Sequence, residues 1–176
     1  MRELSLNILD ITNNSLKAQA TLIEIFLIYK STWLEIKICD NGIGMSEEFL
    51  ARVVDPFTTT RTTRKVGMGI PLFKMAAEVT GGFFEIKSKL GSGTTVRATF
   101  DTTHIDCVKL GDIADTLVSL IALNEEIDFV LNHQNQTEFT IDTRELRKVL
   151  SPVKLSEYEV LQYIRETINE SINNNQ

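Results

Sequence analysis

Asp10, Asn14 and Lys17 are spaced four and three residues apart in the opening stretch DITNNSLKA. On a helix this spacing puts them along one edge. There an aspartate offers a base, an asparagine a neutral oxygen ligand and a lysine a cation. Mg²⁺ takes few protein oxygens and keeps water and phosphate as its other ligands, so one asparagine carbonyl suffices for it. The lysine would then meet phosphate charge. The same stripe, extended by Glu3 and Asn7, also reads as an ordinary solvated helix face.

Three glycine pairs add further chemistry. In DNGIGM, Asp40 precedes Gly42 and Gly44 directly after the apolar run LEIKIC. Such a pair can simply turn a strand into a helix, or it can bring the backbone close enough to a flat ligand for the aspartate to touch it. In VGMGIP, Gly67 and Gly69 stand before an apolar helical pattern, with Pro71 at a first-turn position. Free N–H groups and the helix dipole favour an anion there; a glycine-rich helix entry with no ligand is the plainer alternative. No Walker lysine and no G-x-G-x-x-G accompany it, which excludes the P-loop and dinucleotide readings. In LGSGTTV, Gly91 and Gly93 form a turn before Thr94 and Thr95, which also suit a strand.

The elements that position these groups follow from periodicity. Leu4, Ile8, Ile11, Ser15 and Ala18 share one face of a first helix, widened by Leu9 and Leu16. TLIEIFLIYK and TWLEIKIC read as strands, the second alternating Leu34, Ile36 and Ile38 against Glu35 and Lys37. Ser46 is an expected N-cap for a short helix to about Val54, with Glu47 and Glu48 in its first turn. DPFTTTRTTRKVG, at 55–67, is polar and reads as an exposed loop. A helix is expected from Ile70 to Thr80, stopped by Gly81 and Gly82, then a strand pair around LGSG. After Asp101 the pattern resets to a helix over 110–123, a hairpin around Asn135 and Gln136, and a terminal helix in SEYEVLQYIRETINESI. His133 falls in that hairpin and is expected at the surface. This order favours an α/β (α+β) two-layer sandwich with a mixed sheet and helices on one face, followed by a small α/β extension.

Composition narrows the function. The chain has 176 residues, 43% hydrophobic and 24% charged, and a net charge of −6. That suits one domain with an appendage and a real core. The acidic balance argues against nucleic-acid partners. Two cysteines, Cys39 and Cys107, make no disulfide framework or zinc site and fit a reducing compartment. MRELSLNILD has no basic region followed by a long apolar core, and no run reaches membrane-spanning length, so a cytoplasmic location with no membrane contact is expected.

Taken in order, D-x-x-x-N on a helix, D-x-G-x-G after a strand, G-x-G before a helix and G-x-G-T before a strand resemble the GHKL (Bergerat-fold) ATPases. That superfamily contains gyrase, the large heat-shock chaperones, mismatch-repair ATPases and histidine kinases. The boxes DITNNSLKA, DNGIGM, GMGIP and GSGT cover residues 4 to 100. The resemblance implies ATP and Mg²⁺ as cofactors. It assigns the adenine amino group to Asp40, with Gly42 and Gly44 making room and Thr94 supporting Asp40 through a shared water. It makes Asn14 the magnesium ligand, and Asp10 the catalytic carboxylate, where the hydrolases usually carry glutamate. Lys17 matches a phosphate-contacting lysine common in histidine kinases, and Gly67 and Gly69 match the lid glycines. Met45, Met68 and Ile70 belong to the same boxes and are implied at the nucleotide. Residues 55–66 would be the lid, with Arg61, Arg64 and Lys65 as phosphate neighbours or a solubilising patch.

Within the superfamily, the segment from Asp55 to Gly82 and the N-x-x-K pattern look most like histidine-kinase catalytic domains. The expected division is an ATP-binding domain over 1–103 and an extension over 104–176, built of a helix, a hairpin and helices. No dimerisation helix pair with a phosphoacceptor histidine is expected ahead of the first box. The expected function is therefore a kinase-like module acting on a separate protein, with a homodimer as a further option. An anti-sigma-type serine kinase and a nucleotide sensor without turnover are the alternatives.

Overall fold

The computed structural model describes residues 3–54 and 68–173. The chain runs α1 (Leu4–Lys17), β1 (Leu22–Lys30), β2 (Trp33–Asp40), α2 (Glu47–Val53), α3 (Gly69–Val79), β3 (Phe84–Lys89) and β4 (Gly93–Asp101). It continues through α4 (Ile113–Leu123), β5 (Asp128–Gln134), β6 (Glu138–Asp142), α5 (Thr143–Leu150) and α6 (Tyr158–Asn173).

Local chemistry accounts for the helix ends. Ser46 caps α2 by accepting from the Phe49 N–H at 3.2 Å, and Asp112 caps α4 by accepting from Asp115 N–H at 2.7 Å. α3 stops where Gly81 takes a φ of +74°, a left-handed conformation that glycine adopts without strain. No side chain caps α1. Its first free donors, the Leu4 and Ser5 N–H groups, instead reach the carbonyls of Lys109 and Leu110 at 2.9 and 2.7 Å. The segment leading into α4 thus completes the helix that carries Asp10, Asn14 and Lys17.

The six strands form one mixed sheet in the order β3-β4-β2-β1-β5-β6. Every neighbouring pair is antiparallel except β1 and β5, which run parallel from Leu22 opposite Asp128 to Ile28 opposite Gln134. Alternation then sorts the side chains. Ile23, Ile25 and Leu27 of β1, Leu34, Ile36 and Ile38 of β2, and Val96, Ala98 and Phe100 of β4 are buried. They share one core with Leu4, Ile8 and Ile11 of α1, Phe73 of α3, Leu117 of α4 and Ile164 of α6. The other face is half-exposed and mixes apolar residues such as Leu22, Phe26 and Ile28 with charged ones. On it Arg97 grips Glu35 through two hydrogen bonds of 2.9 and 2.7 Å, and the Lys37 ammonium sits 4.5 Å from the Phe26 ring centre. Among the described residues no helix is long and apolar enough to cross a membrane.

Residues after Asp101 share this sheet and core. β5 inserts between β1 and β6, Arg147 pairs with Asp128 and holds the carbonyls of Glu125 and Ile127, and Arg165 ties α6 to Asp115 of α4 at 2.7 Å. The insertion corrects the surface placement expected for His133. Its side chain is 2% exposed, stacked on Phe139 with ring centres 5.0 Å apart and 5.6 Å from Tyr29. A histidine on a free hairpin would meet water; on an inner strand it points into the helix-covered layer. Asn7 departs from the solvated-stripe reading in the same way, being 2% exposed. The segment 55–67, read from sequence as a loop and lid, lies outside the described residues.

Candidate functional site

β2 ends at Asp40 directly opposite Thr94 at the start of β4, and the last turns of α1 come to the same place. Asp40 is held by three donors. Its Oδ1 accepts the Gly42 N–H at 2.9 Å and the Thr94 N–H at 3.2 Å, while its Oδ2 accepts the Ser15 hydroxyl at 2.7 Å. Fixed donors of this kind stabilise a half-buried carboxylate and set its direction. Next to it, the Asn41 side chain accepts from the Thr21 and Leu22 N–H groups at 2.8 and 3.0 Å and donates to the Thr21 hydroxyl at 2.9 Å. The loop that follows is pinned on both sides. The Ile43 N–H reaches the Ala18 carbonyl, and the Ile43 carbonyl accepts the Gly91 N–H, both at 2.8 Å.

The glycines of this loop have a structural reason for their type. A Cβ on Gly42 would lie 2.6 Å from the Ala18 carbonyl oxygen, and one on Gly44, whose φ is +68°, 2.0 Å from that of Lys89. The space they keep open is filled by the protein's own backbone, which lets the end of α1 and the β3–β4 turn close on the Asp40 loop.

These elements enclose a cavity of about 670 Å³. Ile11, Ile38, Ile43, Phe49, Val53, Leu90 and Val96 give it apolar walls, with Asp40, Thr94, Ser15, Asn14 and Lys17 as polar points. Of the residues expected at a site, Asn14, Lys17, Asp40, Gly44, Met45, Ile70 and Thr94 line this one cavity. Gly42 is absent from the lining and donates its N–H to Asp40. Met68 is 56% exposed and is not part of the lining. Asp10 is exposed and is likewise absent from the lining; it packs on Gly69, where a Cβ would lie 2.7 Å from the Asp10 Cβ. Arg61, Arg64, Lys65 and Gly67 lie outside the described residues. Among the described residues no group of three or more His, Cys, Asp and Glu could hold a metal.

Sequence reading missed Ser15 and Ser88. Ser15 counted only as a small member of the apolar α1 stripe, although a buried hydroxyl needs a partner. Ser88 stood unremarked in FFEIKSK, yet its hydroxyl accepts the Met45 N–H at 2.8 Å and lies 2.8 Å from the Thr94 hydroxyl. Thr94 is tied to Asp40 directly through its backbone N–H, while its hydroxyl faces Ser88.

Chemically, the cavity is an apolar slot with an oriented carboxylate among its polar points. It suits a flat heterocycle bearing an exocyclic N–H. At the side of the slot, α3 begins without a side-chain cap and places Ile70 on the lining. With Lys17 it offers positive potential to an anionic group.

Comparison with known proteins bears on the family and the fold. The family described as "Histidine kinase-, DNA gyrase B-, and HSP90-like ATPase" matches residues 1–104. The histidine protein kinase DivJ of Caulobacter vibrioides is 39% identical over 67 residues, 36% of this chain and 11% of that protein. The adaptive-response sensory kinase SasA of Prochlorococcus marinus is 37% identical over 102 residues, 53% of this chain and 26% of that protein. The matched region is thus a small part of these relatives. Among solved structures, the ATPase domain of Aquifex aeolicus MutL complexed with ADP superposes with a TM-score of 0.57 at 14% identity, covering 85% of this chain and 69% of that one. At that identity the likeness is one of fold.

Proposed function

Because this chain belongs to the family of histidine kinase-, DNA gyrase B-, and HSP90-like ATPases, we propose that it binds Mg-ATP in the Asp40 cavity and acts as a histidine-kinase-like module transferring phosphate to a separate protein. The observation that carries the nucleotide reading is the Asp40 carboxylate, aimed by three donors at the edge of an apolar slot. Asp40 accepts from the adenine amino group, and the apolar walls cover the base. Lys17 and the start of α3 face the phosphates. Asn14 contributes its carbonyl to the metal, which fits a cation that draws its remaining ligands from phosphate and water. Bound magnesium would neutralise charge on the transferring phosphoryl group. Residues 1–103 form the ATP-binding unit, and 104–176 an extension whose spare apolar surface serves a partner or self-association.

Calorimetry with ADP and ATP tests the binding. Incubation with γ-labelled ATP and co-purifying proteins, followed by acid and alkali treatment of the product, tests the transfer. Label that survives alkali but not acid identifies phosphohistidine; no label on any protein refutes the kinase reading. One observation favours a second reading, a nucleotide-dependent regulator without turnover. Asp10, the expected catalytic carboxylate, is exposed and lies off the cavity lining. Tight ATP binding with no hydrolysis and no transfer would select it.

A further inference from the structure

Three strands place one row of side chains beside the cavity. Ser88 of β3 stands opposite Thr94 of β4, and Thr94 stands opposite Asp40 of β2. The Ser88 hydroxyl is a junction. It accepts the Met45 N–H at 2.8 Å, faces the Gly93 carbonyl at 3.0 Å and faces the Thr94 hydroxyl at 2.8 Å. Thr94 in turn donates its N–H to Asp40 at 3.2 Å and lines the cavity.

A hydroxyl has one proton and two acceptor positions, and the Met45 N–H fills one of the latter. Two proton arrangements remain. In the first, Ser88 donates to the Gly93 carbonyl, Thr94 donates to Ser88, and Thr94 can only accept from the cavity. In the second, Ser88 donates to Thr94, and the Thr94 proton is free to point into the cavity. Adenine presents a donor, its amino group, beside an acceptor, its ring N1. An ionised Asp40 and a donating Thr94 match that edge, which is the second arrangement. Hypoxanthine reverses it, with a carbonyl acceptor beside an N–H donor.

We propose that Ser88 is a positioning residue for nucleobase recognition: its hydroxyl sets the proton direction of Thr94, so that Asp40 and Thr94 together present the complement of adenine. The proposal rests on the reading that Asp40 meets the base. Ser88 itself does not line the cavity, so it acts through Thr94.

Affinities of the full chain for ATP, ITP and inorganic tripolyphosphate test it. Ser88→Ala is expected to weaken ATP about 3- to 10-fold, the worth of one neutral hydrogen bond. Tripolyphosphate, which has no base, should bind as before, and the preference for ATP over ITP should narrow. Ser88→Thr, which keeps the hydroxyl, should retain the wild-type preference. On a Thr94→Val background, Ser88→Ala should add nothing. Unchanged ATP affinity in folded Ser88→Ala would overturn the proposal. So would equal weakening of ATP and tripolyphosphate, or full additivity with Thr94→Val. Should Ser88→Ala not fold, Ser88→Cys decides: the thiol keeps the size but donates poorly, and an unchanged ATP-to-ITP preference refutes the role. Asp40→Asn separates the two levels. Intact ATP binding there removes the base contact itself, whereas lost ATP binding with no effect of Ser88→Ala removes only the role of Ser88.

Discussion

Exchanging Asp40 for asparagine changes one atom and should separate folding from binding. The asparagine carbonyl can keep both backbone donors of Oδ1, Gly42 and Thr94. The new amide then replaces Oδ2, where Ser15 donates at 2.7 Å in the native protein. Ser15 can turn its proton to the Ile11 carbonyl, already 3.4 Å away, and accept from the amide. The folded state therefore loses about 1 kcal/mol or less, one hydrogen bond re-formed in poorer geometry. A bound adenine fares worse. It loses a charge-assisted hydrogen bond, about 1.5–3 kcal/mol, and its amino group faces a donor left unpaired, about 1–3 kcal/mol more. At about 1.4 kcal/mol per factor of ten, ADP affinity should fall about 100-fold or further. Urea unfolding measures the first quantity and calorimetry the second. A folded Asp40→Asn protein that binds ADP as tightly as the native chain would refute the assignment of the base to Asp40.

Asp10→Asn should leave nucleotide affinity within about 2-fold while abolishing any hydrolysis or transfer, since its proposed role is to accept a proton or orient the attacking group; calorimetry paired with a phosphate-release assay decides, and full turnover in the variant would free Asp10 of that role. Gly91→Ala should cost about 1–2 kcal/mol, the strain of its φ of +76° with open space around it, whereas Gly44→Ala should cost clearly more, because its Cβ would sit 2.0 Å from the Lys89 carbonyl oxygen. Equal urea midpoints for the two variants would contradict the close approach. Burial holds the His133 imidazole below its ordinary pKa of about 6.5. The unfolded chain therefore takes up a proton that the folded chain refuses, so this contribution is fully present above pH about 6.5 and is lost as the pH falls below it. His133→Phe should flatten that part of the stability profile, and an unchanged slope between pH 6.5 and 5 would count against the buried placement.

Much of the site was legible because its signals are local. The 3.6-residue period of Leu4, Ile8 and Ile11 marked α1, and the twofold alternation of Leu34, Ile36 and Ile38 marked β2. Ser46 announced α2, and the order of the glycine boxes carried the family. What remained hidden depends on partners distant in sequence. The alternation in β5 is the same for a free hairpin as for a strand inserted beside β1, so only the parallel pairing of Leu22 with Asp128 decides that His133 is buried. Gly42 and Gly44 showed that the backbone comes close to something, but not that it is the Ala18 and Lys89 carbonyls. The period of α1 put Ser15 on the buried face but named no partner for it, and Ser88 has no spacing to mark it. A hydroxyl gains its role from what stands within 3 Å of it, and the packing of α1 and β3 against the ends of β2 and β4 is what put Asp40 and Thr94 there.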